Sequence, residues 1–237
     1  MANLYLTEQG ASLKKSGQKI IVEKEGDCLG EVEIHRLESI LICGNIQCST
    51  QSLRLLLNKG ISLSLLSMKG QLYGTLAPVL SKNVELRLAQ YEFFRDESLC
   101  AEHSKALVQA KLHNSIELLK QWSWNNAGLD FGEHISRIEA FSYKADTAKS
   151  LSELHGLEGN SARIYFHAYK QVFKDPTLFN GRSKRPPADP ANAILSFGYV
   201  ILASTLLSHL NASGFDPYLG FYHRASYGKP TLAFDIL

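Results

Sequence analysis

The chain has 237 residues, of which 45% are hydrophobic and 20% charged, and its formal net charge is +2 at pH 7. This length supports one large domain or two modest ones, and the composition is that of an ordinary soluble globular protein. A net charge this small gives no argument for a polyanionic partner. The four cysteines form no Cys-x-x-Cys pair and no secretory signal precedes them, so we expect reduced thiols in a cytoplasmic protein and no zinc site.

The first third of the chain has the short apolar runs and the glycine punctuation of β-strands. Ser49 and Thr50 offer an N-cap for a helix over residues 51–58, and Gly60 should end that helix. The β-rich module should end near Pro78. Strands are predicted over residues 4–7, 19–24, 32–35, 39–43, 61–66 and 71–76.

Helical periodicity replaces the strand pattern from about residue 82 onward. This change predicts an α+β fold in which a small N-terminal β-rich domain, residues 1–80, is followed by a larger all-α domain, residues 81–237. The uncharged run 191–207 includes polar side chains, so we expect a core helix there and no membrane span. Helices are predicted over residues 85–97, 104–124, 133–154, 161–173 and 190–210.

Three side chains in the C-terminal half could carry out chemistry. Glu158 follows the Gly156 break and should lie in the first turn of a helix, where acidic residues are common because the dipole favours them. His223 follows an irregular segment with Pro and Gly, and it could be a metal ligand, a general base or a packed ring. Asp235 lies in an apolar stretch, which favours a nearby metal or hydrogen-bond network, or a cap.

Positive charge is concentrated between residues 159 and 187. That window has one anion, Asp175, and six cations: Arg163, Lys170, Lys174, Arg182, Lys184 and Arg185. The last three precede a Pro-Pro pair that keeps the chain extended, and an extended basic loop suits phosphate contacts or is simply solvated. Asp189 should cap the helix that begins near Pro190.

The combination of these motifs resembles the CRISPR-associated spacer-acquisition integrase, a DNA endonuclease family. The resemblance extends over almost the whole chain, including residues 35–40 and 49–56 of the β-rich part. Its main motifs are E-G-x-x-A-R-x-Y at 158–165, R-x-K-R-P-P-x-D-P-x-N-A-x-L-S-x-G-Y at 182–199 and D-P-x-x-G-F-x-H at 216–223.

This resemblance implies a catalytic group of Glu158, His223 and Asp235, with Glu158 and His223 as ligands of magnesium or manganese. The reaction would insert foreign DNA fragments into a CRISPR array by phosphodiester transesterification. The implied partners are double-stranded DNA, a second copy of the chain and a small ferredoxin-like CRISPR-associated protein, without a membrane. The implied DNA contacts are Arg163, Tyr165, Arg182, Lys184, Arg185, Asn192 and Tyr199.

In the family the third metal ligand is the acid three residues after the position of Asp235, which is beyond Leu237. We therefore expect a C-terminally truncated, weak or inactive enzyme. Two alternatives stay open at this point. One is a nucleic-acid-binding scaffold without catalysis, and the other is a structural helical domain with an incidental Glu/His pair.

Overall fold

A computed structural model describes residues 2–77, 83–183 and 186–237. The chain divides into two compact units that are interleaved along the sequence. The first contains Met1–Leu88, Phe197–Pro217 and Leu237, and the second contains Ala89–Ser196 and Tyr218–Ile236. Pro78 and the predicted boundary at residue 80 lie outside the described residues, so the division into domains 1–80 and 81–237 stays a prediction.

The first unit contains eight strands within the described range. They are β1 (Ala2–Leu6), β2 (Ser12–Ser16), β3 (Lys19–Lys24), β4 (Asp27–Glu33), β5 (Leu37–Cys43), β6 (Gln47–Cys48), β7 (Ser62–Leu66) and β8 (Leu72–Leu76). Strands β1, β5 and β7 are parallel, and β8 joins β7 antiparallel. The second sheet has the order β4-β3-β2-β6, with antiparallel hairpins and a parallel pairing of β2 with β6.

Local sequence explains these pairings. Strand β5 is buried along almost its whole length, as expected for a central strand of a parallel sheet. The turn between β3 and β4 contains Glu25 and Gly26, both with positive φ (54° and 97°), which is the backbone of a tight hairpin turn. Buried residues from both sheets share one core, which includes Leu13, Ile20, Ile40, Ile42 and Leu63.

The predicted cap of the first helix is confirmed. Helix α1 spans Thr50–Asn58, and the Ser49 hydroxyl accepts a hydrogen bond from the backbone N–H of Ser52 at 3.2 Å. Gly60 follows the helix with φ of +77°, a backbone conformation that glycine adopts at low cost.

The helices after the sheets are α2 (Val84–Arg95), α3 (Glu97–Asn125), α4 (Gly132–Asp146), α5 (Leu151–Lys170), α6 (Pro190–Ser213) and α7 (Thr231–Ile236). In the second unit, α3, α4 and α5 pack through apolar side chains at helical spacing. These include Val108, Leu112, Leu119, Ile138, Leu154 and Ile164. Strands therefore dominate the N-terminal third and helices the remainder, and the predicted α+β class is confirmed.

The predicted helix over residues 133–154 is wrong. The chain leaves the helix after Asp146 and starts a new one at Leu151, where the Ser150 hydroxyl accepts a hydrogen bond from the backbone N–H of Glu153 at 3.2 Å. The Glu153 carboxylate in turn accepts from the backbone N–H of Lys149 at 2.9 Å. This reciprocal capping defines the start of α5, and Gly156 lies within the helix.

Helix α6 is long and apolar enough to cross a membrane, on length and composition alone. The core helix of a globular protein passes the same test. In the first unit its Val200 and Ile201 pack against Leu41, Cys43 and Leu66 of strands β5 and β7. Most of the apolar stretch of α6 is nevertheless not buried, so the prediction of a helix buried in a protein core is not confirmed.

Candidate functional site

The side chain of Asp235, on α7, holds the loop of residues 221–223 in place through hydrogen bonds. Its carboxylate accepts hydrogen bonds from three consecutive backbone N–H groups, those of Phe221 at 2.7 Å, Tyr222 at 3.0 Å and His223 at 2.8 Å. The same carboxylate lies 2.7 Å from Nδ1 of the His223 ring. The Asp235 side chain is completely buried, so these four contacts replace the water that an exposed carboxylate would bind.

This arrangement fixes the chemistry of the His223 ring. Because Nδ1 faces a carboxylate oxygen, Nδ1 carries the proton in the neutral ring, and Nε2 keeps its lone pair. The His223 side chain is 46% exposed, so a ligand can reach it. A carboxylate behind an imidazole is the arrangement that orients histidine as a metal ligand.

Close approach of the backbone at Gly220 makes this loop possible. A Cβ atom on Gly220 would lie 2.6 Å from Oδ2 of Asp235 and 2.7 Å from the carbonyl carbon of Thr231. The Gly220 N–H donates to the Thr231 hydroxyl at 2.9 Å, and that hydroxyl donates to the Tyr218 carbonyl at 2.7 Å. Only glycine fits at this position without moving α7 away from the loop.

Glu158 lies in the interior of α5 and forms an ion pair with Lys111 of α3. The Glu158 side chain is 21% exposed and the Lys111 side chain is 57% exposed, so the pair lies at the edge of the helix bundle. A Glu158 carboxylate that attracts an ammonium ion can also bind a metal cation. The first-turn position predicted for Glu158 is wrong, because α5 begins seven residues earlier.

His155 links the helix face of Glu158 to the loop of His223. The His155 ring stacks on Tyr222 with ring centres 4.2 Å apart, and its centre lies 5.9 Å from that of His223. Residues three apart on an α-helix share one face, so His155 and Glu158 point to the same side of α5. That side therefore faces the His223 loop.

The Tyr222 phenol lies in a negative environment. Burial raises its pKa far above the ordinary value, and the carboxylates of Glu158 and Asp235 raise it further. Its hydroxyl is buried without a hydrogen-bond partner among the residues that the structure describes. Tyr222 therefore stays protonated and serves as a flat platform for His155.

The donor atoms at this site suit a divalent cation in type. Glu158 offers carboxylate oxygen and His223 offers a neutral imidazole nitrogen, a mixture that manganese accepts and magnesium tolerates. Across residues 2–77, 83–183 and 186–237, no three His, Cys, Asp or Glu side chains lie close enough together to hold a metal ion as they stand. Binding therefore requires side-chain rearrangement or donors beyond these.

The basic loop is organised by Asn192, which is completely buried. Its amide oxygen accepts from the Arg182 guanidinium at 2.9 Å and from the Ser183 N–H at 3.0 Å. Its amide nitrogen donates to the Gly181 carbonyl at 2.7 Å and to Asp189 at 2.8 Å. Asp189 caps α6 as predicted, since Oδ1 accepts from the Asn192 N–H at 2.8 Å.

A comparison with known protein families shows to which family this chain belongs. The family described as "CRISPR associated protein Cas1" matches residues 4–237. The chain belongs to the Cas1 family. This match confirms the resemblance inferred from the sequence motifs.

Relatives of known name agree with this assignment. The "CRISPR-associated endonuclease Cas1 3" of Thermus thermophilus is 30% identical over 236 residues, which are 98% of this chain and 66% of that protein. A "Cas4/endonuclease Cas1 fusion" of Rhodospirillum rubrum is 30% identical over 99% of this chain and 41% of that protein. The chain thus spans two thirds or less of the length of these two Cas1 relatives.

Among solved structures, a casposase bound to an integration product superimposes with a TM-score of 0.84 at 25% identity, covering 99% of this chain and 68% of that one. A "Cas6-RT-Cas1--Cas2 complex" superimposes with a TM-score of 0.79 at 25% identity, covering 99% of this chain and 26% of that one. Both likenesses extend over both compact units of this Cas1 chain.

The predicted Cas1 site residues fall into different surroundings. His223 and Asp235 are in direct contact, and Glu158 lies on the α5 face beside them. Arg163 is exposed on α5, and Tyr165 stacks on Trp122 with ring centres 6.1 Å apart. Tyr199 belongs to the first unit, and Lys184 and Arg185 lie outside the described residues.

One residue predicted to contact DNA is buried in this structure. The side chain of Asn192 does not reach the surface, because its hydrogen bonds join residues 181–183 to the start of α6. Asn192 therefore holds the loop together here, and its contact with DNA stays a prediction. The sequence motif around Asn192 does not reveal this burial.

Sequence reasoning missed Lys111, His155 and Tyr222. His155 could have been found, because it precedes Glu158 by three residues and so shares its helix face. Tyr222 directly precedes His223 in the motif, yet only packing shows that its ring is buried. Lys111 is 47 residues away from Glu158 along the chain, and their contact is visible only in the tertiary structure.

Proposed function

We propose that this Cas1 chain is the core of a metal-dependent DNA endonuclease and integrase that inserts foreign DNA fragments into a CRISPR array by transesterification in the cytoplasm. The observation that carries the proposal is the His223 ring, held by buried Asp235 beside the α5 face of Glu158. A neutral imidazole that is fixed in this way, next to a carboxylate, is suited to bind a cation at a DNA phosphate.

The names of similar proteins support the same reaction class. The Thermus thermophilus relative is named an endonuclease, and the casposase is bound to an integration product. Cleavage and integration are both displacements at phosphorus, with water as the attacking group in cleavage and a DNA 3′-hydroxyl in integration. A single site can therefore serve both.

Each residue has a distinct part in the proposed mechanism. Glu158 would hold magnesium or manganese through oxygen, and His223 would hold it through Nε2. When bound, the ion supplies positive charge that polarises the phosphoryl oxygen and stabilises the leaving oxygen. Asp235 is a positioning residue, since it keeps the proton on Nδ1 and fixes the ring.

Positive side chains around the site would hold the DNA backbone. Arg163 is exposed on α5, five residues after Glu158, while Arg182, Lys184 and Arg185 belong to the basic loop. Phosphate contacts of this kind position the strand without reading its sequence. Tyr165 and Tyr199 would orient the DNA through their rings.

We also propose three partners: double-stranded DNA, a second copy of the chain and a small ferredoxin-like CRISPR-associated protein. The similarity to a chain in a complex named Cas6-RT-Cas1–Cas2 supports an assembly with a CRISPR partner. The homodimer is proposed through the β-rich part, as the family resemblance implies.

The test is strand transfer of a short DNA duplex into a plasmid that carries a CRISPR array, with Mn²⁺ or Mg²⁺ and with the full-length protein. Glu158→Ala and His223→Ala should each reduce integration at least about a hundredfold, because each removes a charge or ligand at the phosphate. Binding of the duplex should change less than about twofold. Glu102→Ala and His113→Ala, on the exposed surface of α3, serve as matched controls.

A non-catalytic DNA-binding scaffold is the second candidate. It is favoured by the finding that no three metal-binding side chains converge within the part of the chain that the structure describes. The scaffold binds the duplex but gives no metal-dependent product under any condition. Metal-dependent integration that is lost in the Glu158 and His223 variants would exclude it.

A further inference from the structure

We propose that Tyr227, at the tip of the turn that follows His223, stacks on an unpaired nucleobase of the bound DNA. This inference rests on the proposed function, because it adds a base contact to the same DNA-binding protein. Tyr227 lies outside the set of residues predicted to contact DNA from the sequence. The ligand is a DNA strand with unpaired bases close to the phosphate at His223.

Tyr227 is the most exposed large hydrophobic side chain within residues 2–77, 83–183 and 186–237. Its ring is completely exposed, and it forms neither an aromatic contact nor a hydrogen bond with any residue of these ranges. The ring therefore has both faces open to a flat ligand. Every nucleobase has a flat face that stacks on an aromatic side chain.

A tight turn places Tyr227 at its tip. The Lys229 N–H donates a hydrogen bond to the Ser226 carbonyl at 3.0 Å, and these two residues pair as an antiparallel bridge. Gly228 has φ of +72°, which glycine adopts at low cost in the third position of such a turn. The hydrogen-bonded turn therefore presents Tyr227 to solvent on a defined backbone.

Both ends of this segment are held by hydrogen bonds. Before the turn, the His223 N–H donates to the buried carboxylate of Asp235 at 2.8 Å. After the turn, the Thr231 N–H donates to the Lys229 carbonyl at 2.8 Å, and the Thr231 hydroxyl donates to the Tyr218 carbonyl at 2.7 Å. A segment that is already ordered loses little conformational freedom when it binds, so more of the stacking energy contributes to affinity.

The charge of the turn suits a nucleic acid. Residues 224–230 contain two cations, Arg224 and Lys229, and no anion. Arg224 lies 3.5 Å from Glu97, but the two side chains are 82% and 86% exposed, and a surface pair of this kind is worth little. A DNA phosphate can therefore compete for Arg224. Cations beside an aromatic ring are the combination with which proteins bind single strands.

The turn is close to the phosphate that His223 would contact. Tyr227 follows His223 by four residues, which span at most about 13–14 Å when fully extended. Successive nucleotides of one strand are about 3.4 Å apart along duplex DNA. The stacked base therefore lies within a few nucleotides of that phosphate.

The stacked base must be unpaired. Inside a duplex each base already stacks on its two neighbours, and a protein ring reaches its face only after the base has left the stack. A single-stranded tail offers bases with open faces at no such cost. Tyr227 is therefore expected to favour a duplex with single-stranded tails over a blunt duplex.

The first test measures binding of the full-length protein, in EDTA, to a blunt duplex and to the same duplex with single-stranded tails, by fluorescence anisotropy. Tyr227→Ala should weaken binding of the tailed duplex about tenfold, because it removes one stacking contact, and should change binding of the blunt duplex less than about twofold. Tyr227→Trp should restore tight binding, because an indole ring also stacks. Tyr143→Ala removes another exposed tyrosine of the second unit, and this matched control should leave both affinities unchanged.

The second test is a thermodynamic cycle that identifies the base. Abasic nucleotides, introduced one at a time into the tail, remove a base but keep its phosphate. At one tail position the abasic nucleotide should weaken binding by the unmodified protein about tenfold, and at that position it should cost Tyr227→Ala nothing further. Tyr227→Ala should also leave the slope of log affinity against log salt unchanged, whereas Lys229→Ala should lower it by about 0.7.

These outcomes separate the inference from the proposed function. If Tyr227→Ala binds the tailed duplex as tightly as the unmodified protein, or weakens binding of both duplexes equally, stacking by Tyr227 is refuted. An abasic scan of the unmodified protein in which no tail position matters refutes it whatever the variants do. Binding in EDTA involves no metal, so the integration assay of the Glu158 and His223 variants still decides the proposed function by itself. A coupled cycle in a protein without metal-dependent integration would support the stacking site and refute the proposed reaction.

Discussion

At the scale of single residues, Asp235 both fixes the backbone of a loop and orients a histidine ring. Its carboxylate accepts from three backbone N–H groups and contacts the His223 ring, with no exposed surface of its own. Hydrogen bonds to a buried charge are among the stronger ones in proteins, and their donors cannot turn to water when the acceptor is lost. The residue is therefore structural, and the same hydrogen bonds underlie the positioning role proposed for it.

Asp235→Ala should lower the free energy of unfolding by about 3 kcal/mol, because it leaves several buried N–H groups without an acceptor. Urea unfolding followed by circular dichroism measures this. The exposed Asp27 provides the matched control, since Asp27→Ala should change stability by less than about 0.5 kcal/mol. Equal stability of the two variants would contradict the role assigned to Asp235.

Lys111→Met should strengthen Mn²⁺ binding. Lys111 competes with the ion for the Glu158 carboxylate, and a half-exposed pair of this kind is worth about 0.2–1 kcal/mol, or up to about fivefold in affinity. Titration calorimetry measures the effect. Lys120→Met on the same helix breaks the pair with Glu117 and should leave Mn²⁺ affinity unchanged. A weaker affinity in Lys111→Met would mean that Lys111 supports the site instead.

At the scale of elements, helix α5 carries His155, Glu158 and Arg163 on one rigid rod. Its start is set by Ser150 and Glu153, and it continues through Gly156 and Gly159 without a break. The packing of α5 against α3 and α4 offsets the low helix propensity of the two glycines. A rigid helix is a better support for metal ligands than a loop.

A pair of glycine substitutions tests this account. A Cβ on Gly156 would meet nothing within 4 Å, so Gly156→Ala should raise the free energy of unfolding by about 0.5–1 kcal/mol through helix propensity. A Cβ on Gly220 would lie 2.6 Å from Asp235, so Gly220→Ala should lower it by about 2 kcal/mol or more. Thermal unfolding of both variants provides the comparison. Destabilisation by Gly156→Ala would show that α5 is not helical at that residue.

At the scale of the whole molecule, the chain crosses between its two compact units more than once. Helix α6 starts in the second unit and continues in the first, while the segment of His223 returns to the second. The overall charge is close to neutral, yet residues 159–187 have six cations against one anion. Phosphate binding is therefore expected to depend on this segment of the chain.

Changing Arg182, Lys184 and Arg185 together to Ala should reduce the salt dependence of DNA binding. Each lost phosphate contact lowers the slope of log affinity against log salt by about 0.9 for duplex DNA. Fluorescence anisotropy of a labelled duplex, measured at salt concentrations from about 50 to about 300 mM, gives this slope. Changing Lys14, Lys19 and Lys24 of the first sheet to Ala is the matched control. An unaltered slope would place the basic loop away from the DNA.

Sequence alone determined the class of the fold and most of its elements, because hydrophobic periodicity and capping residues are local properties. Strand β3 and helix α1 were predicted almost to the residue, as was the cap at Asp189. Sequence motifs also predict Glu158, His223 and Asp235 as site residues. The predicted start of α5 was wrong, because Gly156 breaks an isolated helix more readily than a helix that is packed against its neighbours.

Only the tertiary structure decided how these residues act together. The contact of Asp235 with three N–H groups, the Lys111–Glu158 pair and the approach of His155 to His223 all join segments that are distant in sequence. Such contacts depend on how the loop folds against α7 and on how α3, α4 and α5 pack, and no local pattern encodes either. Burial likewise shows that the Asn192 side chain holds the loop through hydrogen bonds, which its motif does not reveal.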